Sequence, residues 1–236
     1  MECLMPGRPP RLLVSVRNTE EALAALAGGA DILDIKEPLH GSLGRAPSEI
    51  VDDIRRLVPG HVPLSLALGE WHEIDSDINC AHVSYAKAGW AQGITAKVND
   101  WQKLFHRVQP AKFIGVVYAD HSLVRAPGLE TVLGWLLSTR QTDTGLLIDT
   151  AIKDGRNLLY WFSLDMLQHT ARLCLEHGLF LALAGSLQRA DIPQLVQEVK
   201  PDIIAVRGAA CGEAGRLGQV QTDRVRSLVE CLREGS

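Results

Sequence analysis

Gly145 to Arg156 reads GLLIDTAIKDGR. The apolar run Leu146-Leu147-Ile148 stops abruptly at Asp149, and Lys153, Asp154 and Gly155 follow. An unbroken apolar run is the mark of a strand buried on both faces, as in parallel sheets covered by helices. A buried strand that opens into charged residues and a glycine turn is where α/β proteins often keep their chemistry, because the scaffold fixes the strand end and leaves the loop free to vary. Taken alone, the stretch is equally well a strand followed by a solvated turn, so the flanking segments must decide.

Toward the C-terminus the alternation continues. Ser163 to His177 has helical spacing, with Ser163 as N-cap and Gly178 as stop. Phe180 to Ala184 is a strand, Ile192 to Val199 a short helix with Pro193 near its start, Ile203 to Arg207 a strand and Asp223 to Arg233 a helix. Toward the N-terminus, Leu129 to Ser138 is a helix and Phe113 to Tyr118 a strand. Before them come a helix at Asp100 to Val108, a fourth strand at Ile94 to Val98 and a weakly patterned helical segment at Ile78 to Gly89. Val62 to Leu68 is a strand, Pro47 to Leu57 a helix and Ile32 to Lys36 a strand. Thr19 to Gly28 is a helix capped by Thr19 and stopped by Gly28-Gly29, and Leu12 to Val16 is the first strand.

Eight such βα units, without hairpin signals, fit an α/β protein built as a single (β/α)8 TIM barrel, whose usual length of about 250 residues the 236-residue chain approaches. A doubly wound open sheet is the alternative, but no GxGxxG follows the first strand, which leaves a dinucleotide-binding version little support. Residues 11–236 are expected to form the barrel and residues 1–10 a flexible N-terminal extension without the apolar core of a signal peptide.

Composition narrows the function. A net charge of −4, with no basic run or interleaved aromatic stripe, argues against nucleic acid. It also means that an anionic substrate must be held by local donors rather than by a general positive field. No apolar run reaches membrane-spanning length. The five cysteines include no CxxC pair, which fits a reducing cytoplasm, and the eight histidines show no HxH or HExxH spacing, so no metal or other cofactor is expected. The outer helices offer no clear assembly face, and whether the chain forms a homo-oligomer stays open.

In a barrel the C-terminal strand ends and the loops after them line the active site. The polar residues there are Ser15 and Arg17 (strand one), Asp34 and Lys36 (two), Lys97 (four), Tyr118 and Asp120 (five), and Asp149 with Lys153 (six). A lysine at such an end is partly desolvated. Its pKa falls, and the neutral amine can attack a carbonyl to form a Schiff base. Neighbouring lysines lower one another further, and aspartates can move protons. Structural lysine–aspartate ion pairs are the competing interpretation. The loops Ala184-Gly185-Ser186 and Arg207-Gly208-Ala209-Ala210 put small residues where backbone N–H groups can meet a phosphate, with Arg207 as a charged fork. Close helix–strand packing would also call for small residues there. His121, beside Asp120, is a weaker candidate, and Cys211 suits packing better than nucleophilic attack.

Leu12-Leu13-Val14-Ser15, Gly28-Gly29-Ala30-Asp31-Ile32, Asp34-Ile35-Lys36-Glu37-Pro38 and Gly41-Ser42-Leu43-Gly44 resemble the start of the (5-formylfuran-3-yl)methyl phosphate synthase family of methanofuran biosynthesis. Asp149 to Gly155, Ala182 to Ser186 and Val206 to Cys211 are similar to its later motifs, in the same order. The resemblance implies a cofactor-independent, TIM-barrel carbon–oxygen lyase that condenses two molecules of glyceraldehyde 3-phosphate with loss of phosphate and water. Lys36 would be the Schiff-base lysine, Asp149 and Lys153 its acid–base partners, and Lys97 the proton-accepting lysine. Ser15, Asp34, Asp120, Gly185, Ser186, Arg207 and Gly208 would bind substrate. Two alternatives remain open: another class I aldolase acting on sugar phosphates with Lys153 as the imine lysine, and a non-catalytic phosphometabolite-binding barrel, which would gain if Lys97 pointed away from the mouth.

Overall fold

The computed structural model describes residues 9–74, 78–142 and 144–235. Eight parallel strands close into a barrel in sequence order: β1 (Arg11–Val16), β2 (Ile32–Ile35), β3 (Leu64–Glu70), β4 (Tyr85–Gly89), β5 (Lys112–Tyr118), β6 (Gly145–Asp149), β7 (Phe180–Leu183) and β8 (Ile203–Val206). The helices are α1 (Thr19–Gly28), α2 (Ser48–Leu57), α3 (Val98–Arg107), α4 (Leu129–Thr139), α5 (Leu158–Trp161), α6 (Leu164–Glu176), α7 (Ile192–Gln194), which runs on as a π-turn over Leu195–Val199, and α8 (Thr222–Glu234). Residues 1–8 of the expected extension lie outside the described residues, and Pro9 and Pro10 lead into β1. No helix among the described residues is long and apolar enough to cross a membrane.

The period-2 geometry of a strand divides the core in two. Leu12, Val14, Val16, Leu33 and Ile35 point outward into the layer shared with the helices, and Leu13, Ile32, Ile114, Val116, Leu147, Ala182 and Ala205 fill the barrel. Both faces are buried, which is why the strands read as unbroken apolar runs. Toward the C-terminal ends the inward positions turn polar. Register sets Ser15 beside Asp34, Asp34 beside Ser65, and Tyr118 beside Asp149.

The structure corrects the sequence reading at the fourth unit. Strand β4 lies inside the segment expected to be helical, and the expected strand at Ile94 to Val98 is instead the approach to α3. Ile94 is 57% exposed, so its β-branched neighbourhood carries no burial. The true strand is disguised by small residues. Ala86 and Ala88 face the helix layer, packed in one cluster with Trp90 and Trp101, while Tyr85 and Lys87 face inward. Gly89 has to be glycine, because a Cβ there would run into the Tyr118 hydroxyl and the Glu70 carboxylate. Those two groups close the strand end with a 2.6 Å hydrogen bond donated by Tyr118.

Helix ends follow local chemistry. Asn18, rather than Thr19, caps α1 by accepting from the Glu21 N–H, and Gly29 at φ +96° ends it. Ser163 caps α6 as expected. Helices α1 and α8 pack so closely that a Cβ on Gly28 would lie 2.5 Å from Val225 Cβ and 2.8 Å from the Thr222 carbonyl. Gly28→Ala is therefore expected to destabilise the barrel by about 1–3 kcal/mol through overpacking. A thermal melt should show the midpoint falling by several degrees, and an unchanged midpoint would refute this account of the α1–α8 contact.

Candidate active site

A cavity of about 490 Å³ opens at the C-terminal ends of the strands, in the size range of small-molecule sites. It takes Ser15 from the end of β1, Asp34 and Lys36 from β2, Lys87 from β4, Asp149 and Lys153 from β6 and its loop, and Gly185, Ser186, Arg207 and Gly208 from the loops after β7 and β8.

Two ion pairs organise the floor. Asp34 is fully buried. Its Oδ2 accepts from the Ser15 hydroxyl at 2.9 Å, and its Oδ1 lies 2.7 Å from Lys87 Nζ. Burial opposes its ionisation, but the charges of Lys87 and then Lys36 outweigh burial and hold the carboxyl below its usual range. Asp149, also buried, meets Lys153 Nζ at 2.8 Å. Burial again works against the charge. Lys153, Lys36 and hydrogen bonds from Lys153 and Ser42 outweigh it, and the Asp149 pKa drops to about 2.

Lys36 is the lysine left over. It forms no ion pair among the described residues, and its Nζ donates to the Ser42 carbonyl at 3.0 Å. Loss of hydration lowers its pKa to about 8, helped by Lys87 and Lys153 and resisted by Asp34 and Asp149. At neutral pH about one molecule in ten then carries the free amine, against fewer than about one in a thousand for an ordinary lysine.

Supporting contacts fix this geometry. Ser42, in the loop after β2, accepts from Lys36 through its carbonyl and donates from Oγ to Asp149 Oδ2 at 2.8 Å, so one residue joins both groups. Lys153 also donates to Thr150 Oγ1 at 3.0 Å. Asp120, expected at the substrate, has both oxygens occupied by the N–H groups of Ala151 and Ile152, at 2.7 and 2.8 Å. It is buried, lies outside the cavity wall and anchors the loop that carries Lys153.

In the loop after β7, Gly185 (φ +99°) and Ser186 (φ +54°) hold left-handed conformations that turn the chain sharply. The N–H groups of Gly185, Ser186, Gly208 and Ala209 donate to no acceptor among the described residues. Arg207 does not supply the expected fork. Its Nη1 and Nη2 grip the buried Glu21 of α1 at 2.8 and 3.1 Å, and its remaining donors go to the carbonyls of Ser15, Arg216 and Gly218. All five N–H groups are spent on the protein.

Most of the expected site residues thus converge, and Lys97, Asp120 and the Arg207 guanidinium do not. Lys97 precedes α3, its N–H donating to Asp100 Oδ2, and its side chain is exposed away from the cavity. Lys87 takes the fourth-strand place. Alternation of Tyr85, Lys87 and Gly89 against Ala86, Ala88 and Trp90 was the signal that could have found it. Glu21, an acid that falls on the buried face of α1, was the corresponding sign that Arg207 already had a partner. Arg17, Tyr118 and His121 lie outside the cavity wall. Cys211 lines it, but burial pushes its thiol pKa up. No metal-binding cluster of His, Cys, Asp or Glu occurs among the described residues.

Fold and cavity define a (β/α)8 barrel with its polar, lysine-rich site at the C-terminal mouth. The chain belongs to the 4-HFC-P synthase family, whose model matches residues 12–229. It is 33% identical over 234 residues to (5-formylfuran-3-yl)methyl phosphate synthase from Methanosarcina acetivorans, covering 94% of this chain and 99% of the relative. The protein of the same name from Methanopyrus kandleri is also 33% identical, over 248 residues, with the same coverage. In fold the chain is similar to phosphoribosyl anthranilate isomerase from Thermotoga maritima (TM-score 0.65, 17% identity, 95% of this chain and 99% of that one). It is also similar to KGPDC from Streptococcus mutans (TM-score 0.60, 13% identity, 96% and 99%).

The two candidate fourth-strand lysines separate cleanly by stability. Lys87→Ala leaves Asp34 buried without its partner and is expected to cost about 3–5 kcal/mol, whereas Lys97→Ala should stay within about 0.5 kcal/mol of wild type. Denaturant titration of the two variants measures both, and equal losses would contradict the pairing.

Proposed function

We propose that this protein condenses two molecules of glyceraldehyde 3-phosphate into (5-formylfuran-3-yl)methyl phosphate, with loss of one phosphate and of water, through a Schiff base on Lys36. The reaction would serve methanofuran biosynthesis. Family membership supports the product, and one observation in the cavity supports the mechanism: Lys36 is the lysine of the floor with no carboxylate of its own.

The chemistry follows from that imbalance. The neutral Lys36 amine attacks the carbonyl carbon of a triose phosphate, and the carbinolamine loses water to give the imine. The protonated imine draws electrons from the adjacent carbon and prepares it to attack the second aldehyde. Lys153, held by Asp149 and Thr150 at the cavity wall, is placed to give and take protons at the substrate oxygens. Asp149, with its pKa near 2, stays anionic and keeps Lys153 oriented. Lys87, bonded to Asp34, adds positive charge that helps burial to lower the Lys36 pKa.

An aldolase with Lys153 as the imine lysine is less consistent with this geometry, because Lys153 is tied to a carboxylate at 2.8 Å. Lys97 does point away from the mouth, which favours a purely binding barrel, but Lys87 takes the fourth-strand place in the cavity wall beside Asp34, which supports the catalytic reading.

Borohydride reduction in the presence of glyceraldehyde 3-phosphate, followed by peptide mapping, tests the proposal. The adduct should map to Lys36 and vanish in Lys36→Arg, and an adduct on Lys153 would replace this mechanism with the aldolase one. The trapping rate should follow the free amine. Since the Lys36 pKa is lowered to about 8, the rate should rise about tenfold per pH unit below 8 and level off above it. A rate that is flat from pH 6.5 to 8.5 would exclude Lys36 as the titrating nucleophile.

A further inference from the structure

The cavity's charges do not all cancel within the protein. Lys87 is paired with Asp34, Lys153 with Asp149, and Arg207 with Glu21. Arg216, in the loop after β8, also lines the cavity and has no carboxylate within ion-pair distance among the described residues. Glu213, the acid of the same loop, is exposed.

The position of Arg216 is built rather than incidental. Its Nη2 donates to the carbonyls of Pro38 and Gly41, at 2.9 and 2.8 Å, which ties the loop after β8 to the loop after β2. Its Nε and Nη1 have no partner among the described residues. Its own carbonyl accepts from Arg207 Nε at 2.6 Å, so the buried Arg207–Glu21 pair fixes the backbone from which Arg216 projects. It also stands beside Gly208, where an added Cβ would lie 3.7 Å from its amide nitrogen. The unused N–H groups of Gly208 and Ala209 are therefore close to the same chain segment.

We propose that Arg216 is the cation that binds the phosphate of a triose phosphate in this cavity, a role for which Arg207 is sterically and electrostatically spent. Backbone N–H groups at Gly185, Ser186, Gly208 and Ala209 provide neutral donors, and Arg216 adds the full charge that a phosphate dianion requires. The choice of triose phosphate rests on the reaction proposed above, whereas the phosphate-binding role itself does not.

Glycerol 3-phosphate carries the phosphate but no carbonyl, so its binding reports on this site without imine chemistry. Calorimetry should show binding weakened about ten- to a hundredfold in Arg216→Gln, with part of the loss recovered in Arg216→Lys. Borohydride trapping of phosphate-free glyceraldehyde by Arg216→Gln should fall far less than its binding of glycerol 3-phosphate, since Lys36 remains and Arg216 touches the loop after β2 only at two backbone carbonyls. Undiminished binding of glycerol 3-phosphate by Arg216→Gln overturns the proposal. A parallel loss of glyceraldehyde trapping also overturns it, because Arg216 would then act only by holding the loop after β2. If the wild-type protein binds glycerol 3-phosphate through Arg216 but forms no furan, the phosphate role stands and the proposed reaction alone falls.

Discussion

Two buried lysines, Lys36 and Lys87, and the half-buried Lys153 share one barrel mouth with two buried carboxylates, and little water is available to stabilise five charges. An unpaired buried charge costs several kcal/mol, whereas a neutral amine costs far less. The carboxylates settle which lysine gives way. Asp34 holds Lys87, Asp149 holds Lys153, and Lys36 is left with the Ser42 carbonyl. A neutral carbonyl favours the ammonium far less than a carboxylate would, so that contact orients Lys36 while leaving its proton removable. The reactivity of one residue is thus set by the pairing of its neighbours, and the strands that carry them must stay in register for the pairing to hold.

Much of the rest of the structure maintains that register. Asp120 uses both oxygens to fix the turn after β6. Ser42 reaches across 107 positions of sequence to Asp149. Arg207 and Glu21 join the end of β8 to α1, with every guanidinium donor used. These are connected, satisfied networks, the form in which buried polar groups add rigidity rather than cost. Residues that look like ligands on polarity alone are in several cases the supports of the ligands.

The sequence made the barrel legible where strands are apolar and bounded by caps. Gly145 to Asp149 and Phe113 to Tyr118 were readable because burial on both faces leaves no polar interruption. The fourth strand was not. Trp90, Trp101 and Trp135 fill the volume outside it, leaving room only for alanines on β4, and the Tyr118–Glu70 bond leaves room only for glycine at its end. A strand of Ala, Lys and Gly lacks both β-propensity and apolar contrast, so the more β-branched Ile94 to Val98 drew the assignment. In the site, Lys36, Asp149 and Lys153 were legible because they end clear strands. Arg207 was misjudged because strand position shows where a side chain starts but not whether a distant helix already holds its partner.

The division of the mouth follows from the same electrostatics. A phosphate dianion beside Lys36 would stabilise its ammonium and raise its pKa, undoing the effect of Lys87 and Lys153. The glycine-containing loops after β7 and β8 offer N–H dipoles, and in the role proposed above Arg216 adds a cation that is not spent on a protein carboxylate. An anion held there is neutralised locally. The carbonyl end of such a substrate would then meet Lys36, whose pKa poor hydration and positive neighbours lower to about 8. A cation dedicated to the anion would let one small cavity take the phosphate ester proposed above while a fraction of Lys36 stays neutral at pH 7.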